Sequence, residues 1–144
     1  MKTADRTPEP RDSNAILNGL RVVLIEDNVI AALQTRRILK QAAAETVGIA
    51  GNGADGVRLA LQHNPDLILM DIQLPTLDGF TAAEKILSHG PVCIVMVTGC
   101  DDQASRRKAL RVGASGFVHK PFDGSVLLPA LAEAYRSFIS RAAA

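Results

Sequence analysis

Residues 66–80 read DLILMDIQLPTLDGF. Leu67 to Met70 form a short apolar run with Asp66 before it and Asp71 after it. A run of this length, bounded by turn residues, fits a strand buried on both faces. Pro75, Asp78 and Gly79 then turn the backbone into a loop, and a helix is expected from about Phe80 to Ser88. The stretch is therefore one strand–loop–helix unit whose strand carries an acid, Asp71, at its carboxyl end.

The unit recurs along the 144 residues. Arg21–Ile25 (β1) is a β-branched apolar run ending at Glu26-Asp27-Asn28. Residues 29–44 (α1) are rich in Ala, Leu, Ile, Gln and Arg. Residues 46–50 are expected as β2 and 54–63 as α2, closed by Asn64-Pro65. The opening stretch supplies β3 (66–71) and α3 (80–88). Residues 92–97 are β4, ending at Thr98. Asp101 and Asp102 suit the N-terminus of α4, which runs to Val112 and stops at Gly113. Residues 116–119 are β5, ending at Lys120-Pro121. Asp123 or Ser125 can cap α5, whose stripe is Leu127, Leu131, Ala134, Tyr135 and Phe138, with Pro129 removing one donor near its start. Buried strands alternating with helices imply an α/β, doubly wound sheet of five parallel strands with helices on both faces.

Residues 1–19 are polar, contain Pro8 and Pro10 and show no periodicity, so they read as a disordered arm before a domain at 20–141. The chain is 47% hydrophobic, 22% charged and 3% aromatic, so Ala, Val, Ile and Leu fill the core. Sixteen basic and fifteen acidic residues leave a net charge of +1, which gives no bulk drive toward nucleic acid or an anionic membrane. No apolar run approaches the roughly 20 residues that cross a bilayer, and residues 1–14 hold no hydrophobic signal stretch. A cytoplasmic protein is expected. Cys93 and Cys100 lie along one strand direction and would stand about 20 Å apart. A disulfide needs Cα atoms within about 7 Å, so the two are expected to stay unpaired.

Open α/β sheets place their sites outside the carboxyl ends of the strands. Here those ends carry Glu26 and Asp27, Asp71, Thr98 and Lys120. Three carboxylates and one ammonium sum to −2, which a divalent cation would neutralise. Hard carboxylate oxygens suit Mg²⁺, which keeps waters and accepts phosphoryl oxygens, and no Cys/His cluster offers a zinc site. A carboxylate beside Mg²⁺ and a lysine can act as a phosphoryl acceptor.

In order, the stretches VVLIEDN (22–28), DLILMDIQLPTLDGF (66–80), IVMVTG (94–99) and GASGFVHKPF (113–122) resemble a receiver domain of a two-component response regulator. The resemblance covers about Leu20 to Phe138 and implies a flavodoxin-like (βα)5 fold. It implies that Asp71 takes a phosphoryl group from the phosphohistidine of a sensor histidine kinase or a histidine phosphotransfer protein. It implies that Asp27 binds Mg²⁺ directly, Glu26 through a metal-bound water, and Gln73 through its backbone carbonyl. It implies that Thr98 moves to the phosphoryl group, that Lys120 pairs with it, and that Lys120-Pro121 is cis. Phe117 matches an aromatic that turns inward when Thr98 moves, biasing a bistable face formed by α4, β5 and α5.

Such a domain is not an enzyme in the usual sense. It catalyses its own phosphorylation and slowly hydrolyses the product. A downstream protein partner or a homodimer through α4-β5-α5 would carry the output, with no direct nucleic-acid contact and no membrane. Cys100 stands where polar residues are common in the family, and Phe117 lacks a tyrosine hydroxyl. Residues 120–138 also resemble receivers of RNA-binding antiterminator regulators. The chain ends at Ala144 without their further helical module, so a stand-alone regulator or the receiver half of a longer one is expected. A pseudo-receiver that only binds other proteins is the other reading.

Gly51, Gly53 and Gly56 spell GxGxxG after a strand, with Asp71 twenty residues after Gly51. A glycine-rich turn is preferred to a dinucleotide site, because the motif follows the second strand and ignores Glu26, Asp27, Thr98 and Lys120. A haloacid-dehalogenase-type phosphatase needs an acid where Gln73 stands. No GxxxxGK[ST] stretch supports a P-loop. Asp78 is read as shaping the turn before Gly79. His63, His89 and His119 are scattered, with His119 alternating away from Lys120, and Arg106, Arg107, Lys108 and Arg111 read as a solvated helix face.

Overall fold

The computed structural model describes residues 14–100 and 102–143. The sheet is formed by β1 (Arg21–Ile25), β2 (Glu45–Ala50), β3 (Leu67–Asp71), β4 (Cys93–Thr98) and β5 (Gly116–His119). The helices are α1 (Val29–Gln41), α2 (Gly53–His63), α3 (Gly79–Leu87), α4 (Gln103–Val112) and α5 (Gly124–Ala143). The strand order is β2-β1-β3-β4-β5 and every pairing is parallel. The order reverses between β1 and β3, so the carboxyl ends of these two central strands flank the crevice where such sheets hold their sites.

Alternation along each strand sends its side chains to two separate cores. Val22, Leu24, Leu67, Leu69, Val95 and Val97 pack with Leu39 of α1 and with Leu127 and Leu131 of α5. Val23, Ile25, Ile68, Met70, Ile94 and Met96 pack with Ala60 of α2, Ala82, Ala83 and Ile86 of α3, and Ala109 of α4. Both faces are covered, which explains why the central strands read as unbroken apolar runs.

The ends of several elements differ from the sequence reading. Residues 1–13 of the expected arm lie outside the described residues, but its remainder is ordered. Ala15–Leu17 form a 3-10 turn, and Leu17, only 1% exposed, belongs to the α1–α5 core. The Gly19 N–H donates to the Ala43 carbonyl at 2.8 Å, tying this segment to the end of α1. The folded unit therefore starts before Leu20, and it runs to Ala143, past the expected end at 141. A three-residue apolar turn has no period from which it could be read. Helix α1 stops at Gln41, because Ala43 turns left-handed at φ 60°. Asp102 caps α4 by accepting from the Ser105 N–H at 2.7 Å, and Asp101 lies outside the described residues.

Candidate functional site

The carboxyl ends of β1, β3, β4 and β5 converge. Asp71 is the last residue of β3 and is 7% exposed. Its Oδ1 accepts from the Gln73 N–H at 2.9 Å and its Oδ2 from Lys120 Nζ at 2.8 Å. Helix α3 begins directly beside it, since a Cβ at Gly79 would collide with the Asp71 carbonyl oxygen. Only glycine allows that approach.

Glu26 follows β1, and its N–H extends the ladder to the Ala50 carbonyl at 2.9 Å. Its Oε1 accepts from Lys120 Nζ at 2.7 Å and its Oε2 from the Asn28 N–H at 3.0 Å. Asn28 in turn caps α1 by accepting from the Ala31 N–H at 2.9 Å. The residue that starts the helix thus also orients Glu26. Asp27 is exposed between them.

One carboxylate oxygen each from Glu26, Asp27 and Asp71 lies within 4.8 Å of the others. The donors are all hard oxygens, and the neighbouring Lys120 leaves the group with a formal charge of −2. This set fits Mg²⁺, whose partial protein shell leaves room for water and phosphoryl oxygens. Burial by itself would lower the Lys120 ammonium, but hydrogen bonds from it to Asp71 and Glu26, together with their charge, hold it above the ordinary lysine value.

Thr98 ends β4 and is 2% exposed. Its carbonyl accepts from the Lys120 N–H at 2.7 Å, and its Oγ1 accepts from the Cys100 N–H at 3.0 Å. The Lys120-Pro121 bond is cis. Phe117 is half-buried on the edge strand β5, level with Met96 of β4.

The model matching this chain is the response regulator receiver domain, over residues 22–132. The chain belongs to that family. It is 36% identical over 118 residues to the transcriptional regulatory protein PdtaR of Mycobacterium tuberculosis, covering 82% of this chain and 58% of that protein. The receiver thus spans little more than half of this longer relative. The signal receiver domain of the putative response regulator NarL from Mycobacterium tuberculosis superposes with a TM-score of 0.78 at 27% identity, over 83% of this chain and 98% of that one. The response regulator domain of Thermotoga maritima CheB gives 0.74 at 30% identity, over 85% and 98%. Receivers as a family bind Mg²⁺ at an acidic pocket and interact with kinases or phosphotransfer proteins and with downstream partners.

The remaining sequence features of this receiver take structural places. At the GxGxxG stretch, a Cβ on Gly56 would come within 2.6 Å of Ile25 Cδ1, and one on Gly53 would strike the Leu77 carbonyl. These glycines let α2 lie close to β1 and to the β3–α3 loop. Asp78 caps α3, accepting from the Thr81 N–H at 3.0 Å, and that hydrogen bond holds its carboxyl below the usual range. Cys93 is buried, its thiol pushed up to about 11 by burial, whereas Cys100 is exposed and its thiol donates to Asp102 Oδ2 at 3.3 Å; the two form no disulfide.

The basic stretch of α4 is exposed as expected, and two of its cations also lie over aromatic rings. The Arg106 guanidinium lies 4.7 Å from the centroid of the Phe117 ring, and Lys108 Nζ lies 4.8 Å from that of Phe80. Cations over rings gain from the negative π face. Neither pairing has a signal in the chain, because each partner comes from a different element. Asn28 and its cap were also missed, although the Asn before α1 is the type of residue that starts helices.

Proposed function

We propose that this receiver accepts a phosphoryl group on Asp71 and signals through a change in its α4, β5 and α5 face. The observation that supports this most is the Lys120 ammonium shared between Asp71 and Glu26 beside a three-carboxylate cluster. In the reaction a carboxylate oxygen of Asp71 attacks the phosphorus of a phosphohistidine. The P–N bond breaks as the P–O bond forms, and the imidazole departs. Lys120 leaves Asp71 for the new phosphoryl oxygens, so its positive charge follows the negative charge being transferred.

Glu26, Asp27, Asp71 and the Gln73 backbone carbonyl would hold Mg²⁺, which neutralises charge on the transferring group when bound. Thr98, at the end of the neighbouring strand, would then turn its hydroxyl toward the phosphoryl group. Phe117 would follow, leaving its place under Arg106 and changing the outer surface of α4 and β5.

The donor is a sensor histidine kinase or a histidine phosphotransfer protein. Val29 and Ile30, 70% and 68% exposed at the start of α1 beside Asp27, give it an apolar surface at the rim of the site. The output partner is a second copy or another protein on the α4-β5-α5 face, where Leu110 is also exposed. No described helix is long and apolar enough to cross a membrane. A cytoplasmic place is part of this proposal. A second reading is the receiver part of a longer transcriptional regulator, favoured by the greater length of PdtaR.

Intact mass after acetyl phosphate and Mg²⁺ tests the acceptor. A gain of one phosphoryl group, absent in Asp71→Asn and in EDTA, is expected. A folded, metal-binding protein that gains nothing would instead be a pseudo-receiver.

A further inference from the structure

One peptide unit beside the acceptor site is held at both ends. It joins Gly99 to Cys100. Its N–H, on Cys100, donates to Thr98 Oγ1 at 3.0 Å. Its carbonyl, on Gly99, lies 3.1 Å from Nε2 of His119. A carbonyl oxygen only accepts, so Nε2 carries the proton and the imidazole donates. The N–H and C=O of a trans peptide point in opposite directions. Thr98 and His119 therefore grip the same plane from opposite sides.

The fold brings the two grips together. His119 pairs with Thr98 across the β4–β5 ladder, and the next residue, Lys120, donates its N–H to the Thr98 carbonyl. The end of β5 thus sends one side chain into the acceptor site and its neighbour to the outside of the β4–α4 loop. Among the described residues, nothing beyond the two adjoining ones stands within 4 Å of where a Gly99 Cβ would be. The two hydrogen bonds hold the peptide plane, and the Cys100 thiol, donating to Asp102 Oδ2 at 3.3 Å, anchors its far side.

We propose that His119 is a positioning residue that latches the Gly99–Cys100 peptide in its resting place and so opposes the movement of Thr98. The inference rests on the acceptor reading above. When Thr98 turns toward a phosphoryl group on Asp71, the Cys100 N–H either loses its acceptor or follows it. Following keeps the Thr98 bond but breaks the one to His119. Without the latch the peptide follows with one restraint fewer, and the switched arrangement is reached at the loss of one hydrogen bond fewer.

Two variants separate the hydrogen bond from the bulk of the ring. His119→Phe keeps a ring without a donor, and His119→Gln keeps an N–H donor of similar reach. The readouts are the affinity for Mg²⁺–beryllofluoride, a stand-in for the phosphoryl group, and amide exchange at Cys100 in the resting protein. One exposed hydrogen bond predicts binding about two- to tenfold tighter in His119→Phe, with faster Cys100 exchange, and both near wild type in His119→Gln. Unchanged exchange and affinity in His119→Phe, or weaker binding, would overturn the latch. Should the wild-type protein take no beryllofluoride, the acceptor reading fails, and Cys100 exchange decides the latch on its own: faster in His119→Phe supports it, unchanged refutes it.

Discussion

Lys120 and Glu26 are 94 residues apart in the chain, yet Nζ and Oε1 are 2.7 Å apart. The same ammonium is 2.8 Å from Asp71 Oδ2, so one lysine offsets charge from two strand ends at once. The carboxylates stand close enough to repel, and Lys120 is the cation that lets them share the crevice.

Lys120→Met leaves this acid cluster without its lysine. The variant should melt below wild type in EDTA and regain part of the difference in Mg²⁺. The folded-state value of Lys120 is raised above its ordinary 10.5, so its stabilisation is fully present below that pH and is lost as pH rises through the folded value. Denaturant melts at pH 7 and pH 9 should show the same gap between wild type and variant. A gap that shrinks between them would mean that the pair does not hold the lysine charged.

Mg²⁺ should stabilise the protein by mass action, by about 2.7 kcal/mol at a metal concentration a hundredfold above its Kd. Asp27→Ala should lose most of this gain while folding normally, because exposed Asp27 makes no core contact. Thermal melts across a Mg²⁺ series, with Ca²⁺ in parallel, measure it. Equal stabilisation of both proteins would remove Asp27 from the metal shell.

Gly56→Ala places a methyl against Ile25 and should cost about 1–3 kcal/mol by overpacking. Ile25→Val in the same chain should recover part of the loss, since it shortens the side chain that is struck. Urea melts of the two singles and the double give the coupling. Additive losses would show that the two positions do not meet.

Cysteine chemistry should follow burial. A thiol reagent near neutral pH should modify Cys100 in the native protein and reach Cys93 only after denaturation, because Cys93 is buried and its thiol is held near 11. Peptide mapping of the labelled protein reads this directly. Native labelling of Cys93 would mean that the β4 core opens on the labelling timescale.

The strands and their order of appearance were legible in the chain because each is an apolar run closed by turn residues. The acids at 26, 27 and 71, the hydroxyl at 98 and the ammonium at 120 were legible because parallel sheets send strand ends to one edge. Local chemistry carried the two ends of α4 too: Asp102 and Gly113 act within a few residues of where they stand.

Other features have no local signal. The turn that buries Leu17 is too short for a period, and its partners sit on α1 and α5. Arg106 and Phe117, Lys108 and Phe80, and His119 and the Gly99 carbonyl meet only because neighbouring elements pack in a particular register. Hydrophobic period and strand-end position are properties of a segment, so residue order conveys them. Which side chain reaches across to which depends on the angle and spacing of packed elements, and those exist only once the two cores have closed around the sheet.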